Sequence, residues 1–358
     1  MQDQPHRHVV SGDLPAKIDA WFDRIDPGTH RRVKGLRLVT AFGLAAMLAT
    51  MPEISSNRSA MLAPLAAGFA LWASVSEAET TRYASARALA LLCLAAGAGA
   101  AGIAVAAPQL GPAWAELVLV SGSFCVGYLR RFGVLGSGIG SQIFIGQLLA
   151  YGAGATITDL KTVALAAALA ALASVVPRML SGPAERPATV LAPPQAADSS
   201  VIFSEISMGL QAAAASLAIV GLSRALGFAE SAWAITACTY VVANSLSGTI
   251  ERVRRRIVGT LIGVPVGLAW LPIAAHAPLL IWMAAAVALI VYAMALPQRY
   301  DIACGAYAFA LIVTMAESGD YPLTTLMARG WETFVGGAIG IAVALLFAPL
   351  PNAIRRQL

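Results

Sequence analysis

Arg329 and Glu332 stand one helical turn apart in the last apolar segment of the chain, LTTLMARGWETFVGG, where charge is otherwise rare. Ionisable groups inside apolar segments are costly and by default mark a functional site. The other cations at the same level also have an acid nearby: Arg58 with Glu53, Lys161 with Asp159, and Arg224 with Glu230. Two readings of these pairs are open. They are salt bridges that hold helix ends, or Arg329 and Arg58 attract organic anions into a vestibule while Glu332 takes up and releases a proton.

Polar and aromatic side chains within the apolar segments extend the second reading. Gln142, Gln147 and Tyr151 follow one another along SQIFIGQLLAYG, and Tyr307 occupies a comparable segment later in the chain. Tyr240 and Asn244 are four apart on one helical face, with Trp233 two turns earlier. An aromatic acid needs a ring to lie against and a donor for its carboxylate, and this set offers both. The same residue types also serve structure. Gln142, Gln147 and Asn244 suit hydrogen bonds between helices, and Trp72 and Trp233 suit the interfacial belt.

Enzyme chemistry finds little footing. The chain has no GxSxG, P-loop or HExxH pattern and no acid cluster of metal-ligand spacing. His6, His8, His30 and His276 all fall outside the apolar segments, while Cys93, Cys125, Cys238 and Cys304 fall inside them without a CxxC pair. No catalytic activity, metal or cofactor is expected. Energy for any transport must come from an ion or proton gradient, or from a partner.

The elements that carry these residues are read from composition. Of 358 residues, 58% are hydrophobic and only 12% charged, with a mean hydropathy of +0.72. Ordinary soluble domains lie far from these values. A helix crossing a hydrocarbon core about 30 Å thick needs about 20 mostly apolar residues. Such segments fall near 34–52, 58–76, 84–107, 113–130, 134–152, 160–180, 203–223, 230–247, 253–273, 277–296, 301–317 and 325–349. The expected fold is therefore all-α and integral to the membrane, with about twelve transmembrane helices.

If the N-terminus is cytoplasmic, 20 of the 24 Lys and Arg lie on the cytoplasmic side; Arg58, Lys161, Arg224 and Arg329 do not. This positive-inside bias predicts a multi-pass protein of a bacterial inner membrane with both termini cytoplasmic. The net charge of +5 sits in short loops at segment ends, so it reads as topology and lipid contact rather than nucleic-acid binding.

The chain divides at 181–200, SGPAERPATVLAPPQAADSS, which has linker composition. Ahead of it lie a cytoplasmic arm, 1–33, whose LPAKIDAWFDRID has amphipathic helical spacing, and a first six-helix repeat, 34–180. After it come a second repeat, 201–350, and a tail, 351–358. Sliding one half onto the other superposes the segments and sets Arg87 on Arg256. Parallel repeats of this kind are typical of transporters, with the substrate site near the repeat interface.

The most distinctive stretch is ANSLSGTIERVRRRIVGTLIGVPVG, 243–267. Arg252 and Arg256 can share a helical face at headgroup level, and Gly259, Gly263 and Gly267 form a small-residue stripe that admits a close helix. Arg252, Arg256, Gly259, Thr260 and Gly263, with Arg329, Glu332, Thr333 and Gly336 near the end, resemble the pattern of the fusaric acid resistance protein family within the aromatic acid exporter group. In the first half Ala90 and Leu91 stand where the second has Gly259 and Thr260. Larger members of the family carry a substantial cytosolic domain; here only the short linker separates the halves. A major facilitator protein has a similar layout, but SVSEAETTRYASAR lacks the signature of its first cytoplasmic loop.

The resemblance implies a secondary transporter, driven by a gradient, that exports small aromatic or other organic anions. An anion channel and a structural or assembly component of a membrane complex are the alternatives. The expected partners are a small organic anion and membrane lipid, with a homo-oligomer compatible with the many small residues.

Overall fold

The computed structural model describes residues 30–56, 61–79, 81–111, 114–181, 199–228, 231–243, 245–274, 276–296, 298–317 and 323–347. The amphipathic arm, most of the linker, the tail, Arg58, Glu230 and Asn244 lie outside the described residues.

Among the described residues the structure is helical throughout. The first half holds α1 (His30–Ser56), α2 (Leu62–Ser76), α3 (Arg82–Leu110), α4 (Leu117–Tyr128), α5 (Gly133–Gly152) and α6 (Leu160–Leu180). The second holds α7 (Ser199–Leu226), α8 (Ser231–Val241), α9 (Leu246–Ala269), α10 (Pro278–Ala295), α11 (Tyr300–Glu317) and α12 (Leu323–Leu346). Every predicted apolar segment contains a helix. Among the described residues, however, eight helical stretches are long and apolar enough, by length and composition, to cross a bilayer. The predicted spans 58–76, 113–130 and 230–247 are shortened to helices of 15, 12 and 11 residues. At about 1.5 Å per residue each of these falls short of the hydrocarbon thickness. Thus α4 counts as part of one continuous helical stretch, Leu117–Gly152, in which a 3₁₀ turn, Leu129–Phe132, joins it to α5. Gly133, with φ of 77°, allows the chain to turn back there.

Local chemistry explains where α3 and α9 begin. The Thr81 hydroxyl accepts from the Ala84 amide at 3.3 Å, and Ser245 Oγ accepts from Gly248 at 3.1 Å, so both helices start on a side-chain N-cap. The short helices α2 and α8 end against bases. Lys34 Nζ donates to the carbonyls of Val75 and Glu77 at 3.1 and 2.7 Å. Arg252 Nη1 donates to the Val242 carbonyl at 2.8 Å. Cations placed so satisfy orphan carbonyls and complement the helix dipole. Arg252 is therefore a cap for the chain after α8, and it does not share the surroundings of Arg256.

Helix neighbours in the two halves pair off. α3 packs on α5 and α6 as α9 packs on α11 and α12, and α2 meets α6 as α8 meets α12. The first helix of each half crosses over: α1 packs on α10, and α7 on α4. Glycines set the closest crossings. A Cβ on Gly259 or Gly263 would strike the carbonyl oxygens of Asp301 or Gly305, and one on Gly146 or Gly99 would strike those of Ala96 or Ile143. The predicted stripe does admit a partner helix, and that helix is α11. Where the halves meet, Ser123 of α4 lies 2.9 Å from Thr239 of α8 and accepts from Ser216 of α7 at 2.8 Å, all three buried.

Candidate functional site

A cavity of about 1310 Å³ lies between the two halves. α2, α3 and α5 wall one side; α8, α9, α11 and α12 wall the other, with Tyr292 of α10. It runs from Gly111, Ala115 and Thr156 at one end to Ser76, Leu296 and Tyr300 at the end where the arginines are dense. Trp233, Thr236 and Tyr240 reach it from one face of α8; Tyr300, Cys304, Tyr307, Leu311 and Met315 form a continuous stripe along α11. Helical periodicity alone places these on one face.

Among the described residues its only charged side chains are two arginines, Arg256 and Arg329, with no carboxylate. Arg329, expected among outward-facing cations, instead sits in the second turn of α12 and is 6% exposed. Its guanidinium carbon lies 4.1 Å from the centre of the Trp233 ring and 5.5 Å from that of Tyr307. Its Nη1 is buried without a hydrogen-bond partner in the protein. Arg256, expected at headgroup level, turns into the cavity and donates from Nη1 to the Tyr300 hydroxyl at 3.3 Å; its Nε has no partner in the protein. A stacked, desolvated guanidinium with free N–H groups is suited to a carboxylate or another planar anion. Stacking on Trp is worth about 0.5–2 kcal/mol and leaves the edge of the guanidinium open.

Aromatic rings complete the site. Trp72 of α2 meets Tyr307 and Tyr292 edge-on, with centroids 5.2 and 6.0 Å away, and the two tyrosines lie 5.6 Å apart. Tyr240 holds the Ser141 hydroxyl at 2.7 Å and meets Phe144 edge-on at 5.9 Å.

Of the residues singled out in the sequence, Trp72, Tyr151, Trp233, Tyr240, Tyr307, Thr260, Arg256, Arg329 and Thr333 come together on this cavity. Gln142 and Gln147 do not line it. Gln142 Nε2 donates to Ser76 Oγ at 3.3 Å from a wholly buried position, and Gln147 Nε2 to Ser121 Oγ at 3.1 Å across the α4–α5 contact. Glu332, also wholly buried, is one turn from Arg329 and outside the lining. Gly259 and Gly263 are spent on packing. One predicted ion pair takes another form: the Asp159 carboxylate accepts from Thr156, backbone and hydroxyl, at 2.9 and 2.8 Å; Arg224, whose predicted partner Glu230 lies outside the described residues, stacks on Trp114 at 4.0 Å. Tyr292 and Tyr300 were missed, although the spacing of 300, 304, 307 and 311 is a readable stripe.

No curated protein and no solved structure matches the chain. Residues 217–343, which carry both cavity arginines and most of its aromatic rings, match the fusaric acid resistance protein-like family, and it is to this family of membrane proteins that the second half of the chain is similar.

Proposed function

We propose that the protein is a secondary transporter of small organic anions, aromatic acids foremost, and that the cavity between its halves is the substrate site. The observation that carries this reading is a large cavity whose charged side chains are two arginines, each with a buried N–H unmatched among the described residues, set among Trp and Tyr rings. Two cations on a lining that holds no carboxylate, with Glu332 behind Arg329 as the acid one turn away, are expensive to bury, and an anionic occupant would offset that cost. The aromatic walls favour an acid that carries a ring. We take the pairing of helix neighbours to reflect duplication of a six-helix unit, with alternating access by rocking of one half against the other. The positive-inside bias supports a bacterial inner-membrane orientation with both termini cytoplasmic, and the likeness to the fusaric acid resistance protein family supports export as the direction.

Glu332 is the group we assign to proton coupling. It is buried beside the site rather than in it, so its charge can change without direct contact with the substrate. The test is uptake of radiolabelled aromatic and aliphatic carboxylates into proteoliposomes, with and without a pH gradient. Gradient-driven accumulation of one class, abolished in Arg329→Ala and uncoupled from the gradient in Glu332→Gln, is the expected result. Accumulation indifferent to Arg329→Ala would discard the site. Flux that follows voltage without concentration of substrate would mean an anion channel.

A further inference from the structure

A second, much smaller pocket lies in the first half, where α1, α2, α3 and α6 meet at the arginine-rich end. Its polar lining is Lys34, Arg37, Arg178, Ser74, Ser174 and Glu77, three cations against one carboxylate. Arg178 is 2% exposed. Its Nε donates to Ser85 Oγ at 2.7 Å, which fixes the plane of the guanidinium, but both Nη atoms are buried without a hydrogen-bond partner. Glu77 Oε1 accepts from the Glu79 amide at 2.7 Å, and the backbone carbonyls of Val75 and Glu77 receive Lys34. A full positive charge thus has two donor nitrogens without a hydrogen-bond partner among the described residues, at a polar pocket. Leaving a buried guanidinium so is strongly unfavourable unless an anion meets it.

The size of the pocket selects the anion. About 20 Å³ is open within it, and a site for one water needs about 10–15 Å³ measured in this way. That space suits a monatomic anion better than a carboxylic acid, phosphate or headgroup.

We propose that a single small inorganic anion of the chloride class binds at the two Nη atoms of Arg178 and the Ser174 hydroxyl and stabilises the first half of the protein. This site is separate from the large cavity and independent of its substrate. Neutralising Arg178 ties α6 to α1 and α3, the helices that frame the first half.

The test uses the full chain purified in detergent. Thermal unfolding is compared in sodium chloride, sodium bromide and sodium gluconate at equal ionic strength, and crystals grown in bromide are examined for anomalous scattering. Melting higher by about 2 °C or more in the halides, a difference that disappears in Arg178→Gln and persists in Arg87→Gln, is the expected outcome. If Arg178→Gln does not fold, the wild-type bromide experiment decides: a peak within hydrogen-bonding reach of Arg178 Nη supports the site. Melting that is the same in chloride and gluconate, or crystals with no bromide peak in this pocket, would overturn it.

Discussion

Arg87 in α3 and Arg256 in α9 fall on each other when the halves are aligned, yet Arg87 is exposed while Arg256 lines the central cavity. The helices that carry them are otherwise alike. Each begins on a hydroxyl N-cap, and each crosses its partner, α5 or α11, where glycines let backbone meet backbone. What differs is chemistry. The first half gives the cavity Trp72, Tyr151, Ser76, Ser141, Thr156 and apolar walls; the second gives it both arginines and Trp233, Tyr240, Tyr292, Tyr300 and Tyr307. The packing scheme is thus shared by the halves and the recognition chemistry is concentrated in one, the half where the family match lies.

The largest effect tests the shared part. Gly263→Leu and Gly146→Leu each drive a side chain into a facing carbonyl, of Gly305 or Ala96. Overpacking at such a crossing costs about 3 kcal/mol or more, so both variants should yield little monodisperse protein. Gly102→Ala, which meets nothing within 4 Å, should fold normally. If Gly146→Leu is tolerated and Gly263→Leu is not, the two crossings are not equivalent and the comparison fails.

The next effect tests the part that differs. Arg256→Gln removes a buried charge that faces the cavity, and transport should fall about a hundredfold or more, in line with about 3 kcal/mol for a desolvated charge contact. Arg87→Gln, on an exposed position, should leave transport within about twofold, as surface substitutions usually do. Initial uptake rates in proteoliposomes, normalised to inserted protein, measure both.

How much of this was readable in the sequence depended on the kind of signal. Segment positions and the glycine stripe were legible because hydropathy and small-residue spacing are local and periodic. The lengths of α2, α4 and α8 were not, since an apolar loop that continues past a helix end, as at Val242 and Ala243, has the same hydropathy as the helix. The arginines were recognised by type but misplaced. A cation near a segment end looks the same whether it faces headgroups, as a topology signal would, or turns inward, as Arg256 and Arg178 do. Only the neighbours brought by other helices decide, and those are 40 or more residues away in sequence: Tyr300 for Arg256, Ser85 for Arg178, Trp233 for Arg329. For Gln142 and Gln147 the structure takes the interhelical hydrogen-bond reading over the substrate one. They share α5 with Ser141, which does reach the cavity, but point to other sides of the helix.

A smaller effect tests the role of the aromatic support under Arg329. Trp233→Leu keeps an apolar side chain on α8 and removes the ring 4.1 Å beneath the guanidinium. A cation–π contact of about 0.5–2 kcal/mol predicts roughly tenfold weaker substrate affinity, read as a raised KM. The matched change at the other stacked arginine, Trp114→Leu beside Arg224, should not alter KM, because Arg224 is outside the cavity lining.

The smallest expected effect separates lining from support within a single helix. Gln142 is wholly buried, donates to Ser76 at 3.3 Å and leaves Oε1 without a hydrogen-bond partner. Replacing a half-satisfied buried amide by an apolar side chain of similar shape is close to neutral for stability, since the unmatched acceptor disappears along with the weak bond. Gln142→Leu should therefore melt within about 1 kcal/mol of the wild type and transport with unchanged KM. Ser141→Ala, one residue away, removes the partner of the Tyr240 hydroxyl at 2.7 Å and leaves that hydroxyl facing the cavity without its anchor. The loss of one such bond, about 1 kcal/mol, corresponds to about a fivefold change in KM. A changed KM in Gln142→Leu with none in Ser141→Ala would mean that α5 presents its glutamine to the substrate, and that the cavity wall on the first half is drawn from the wrong face of that helix.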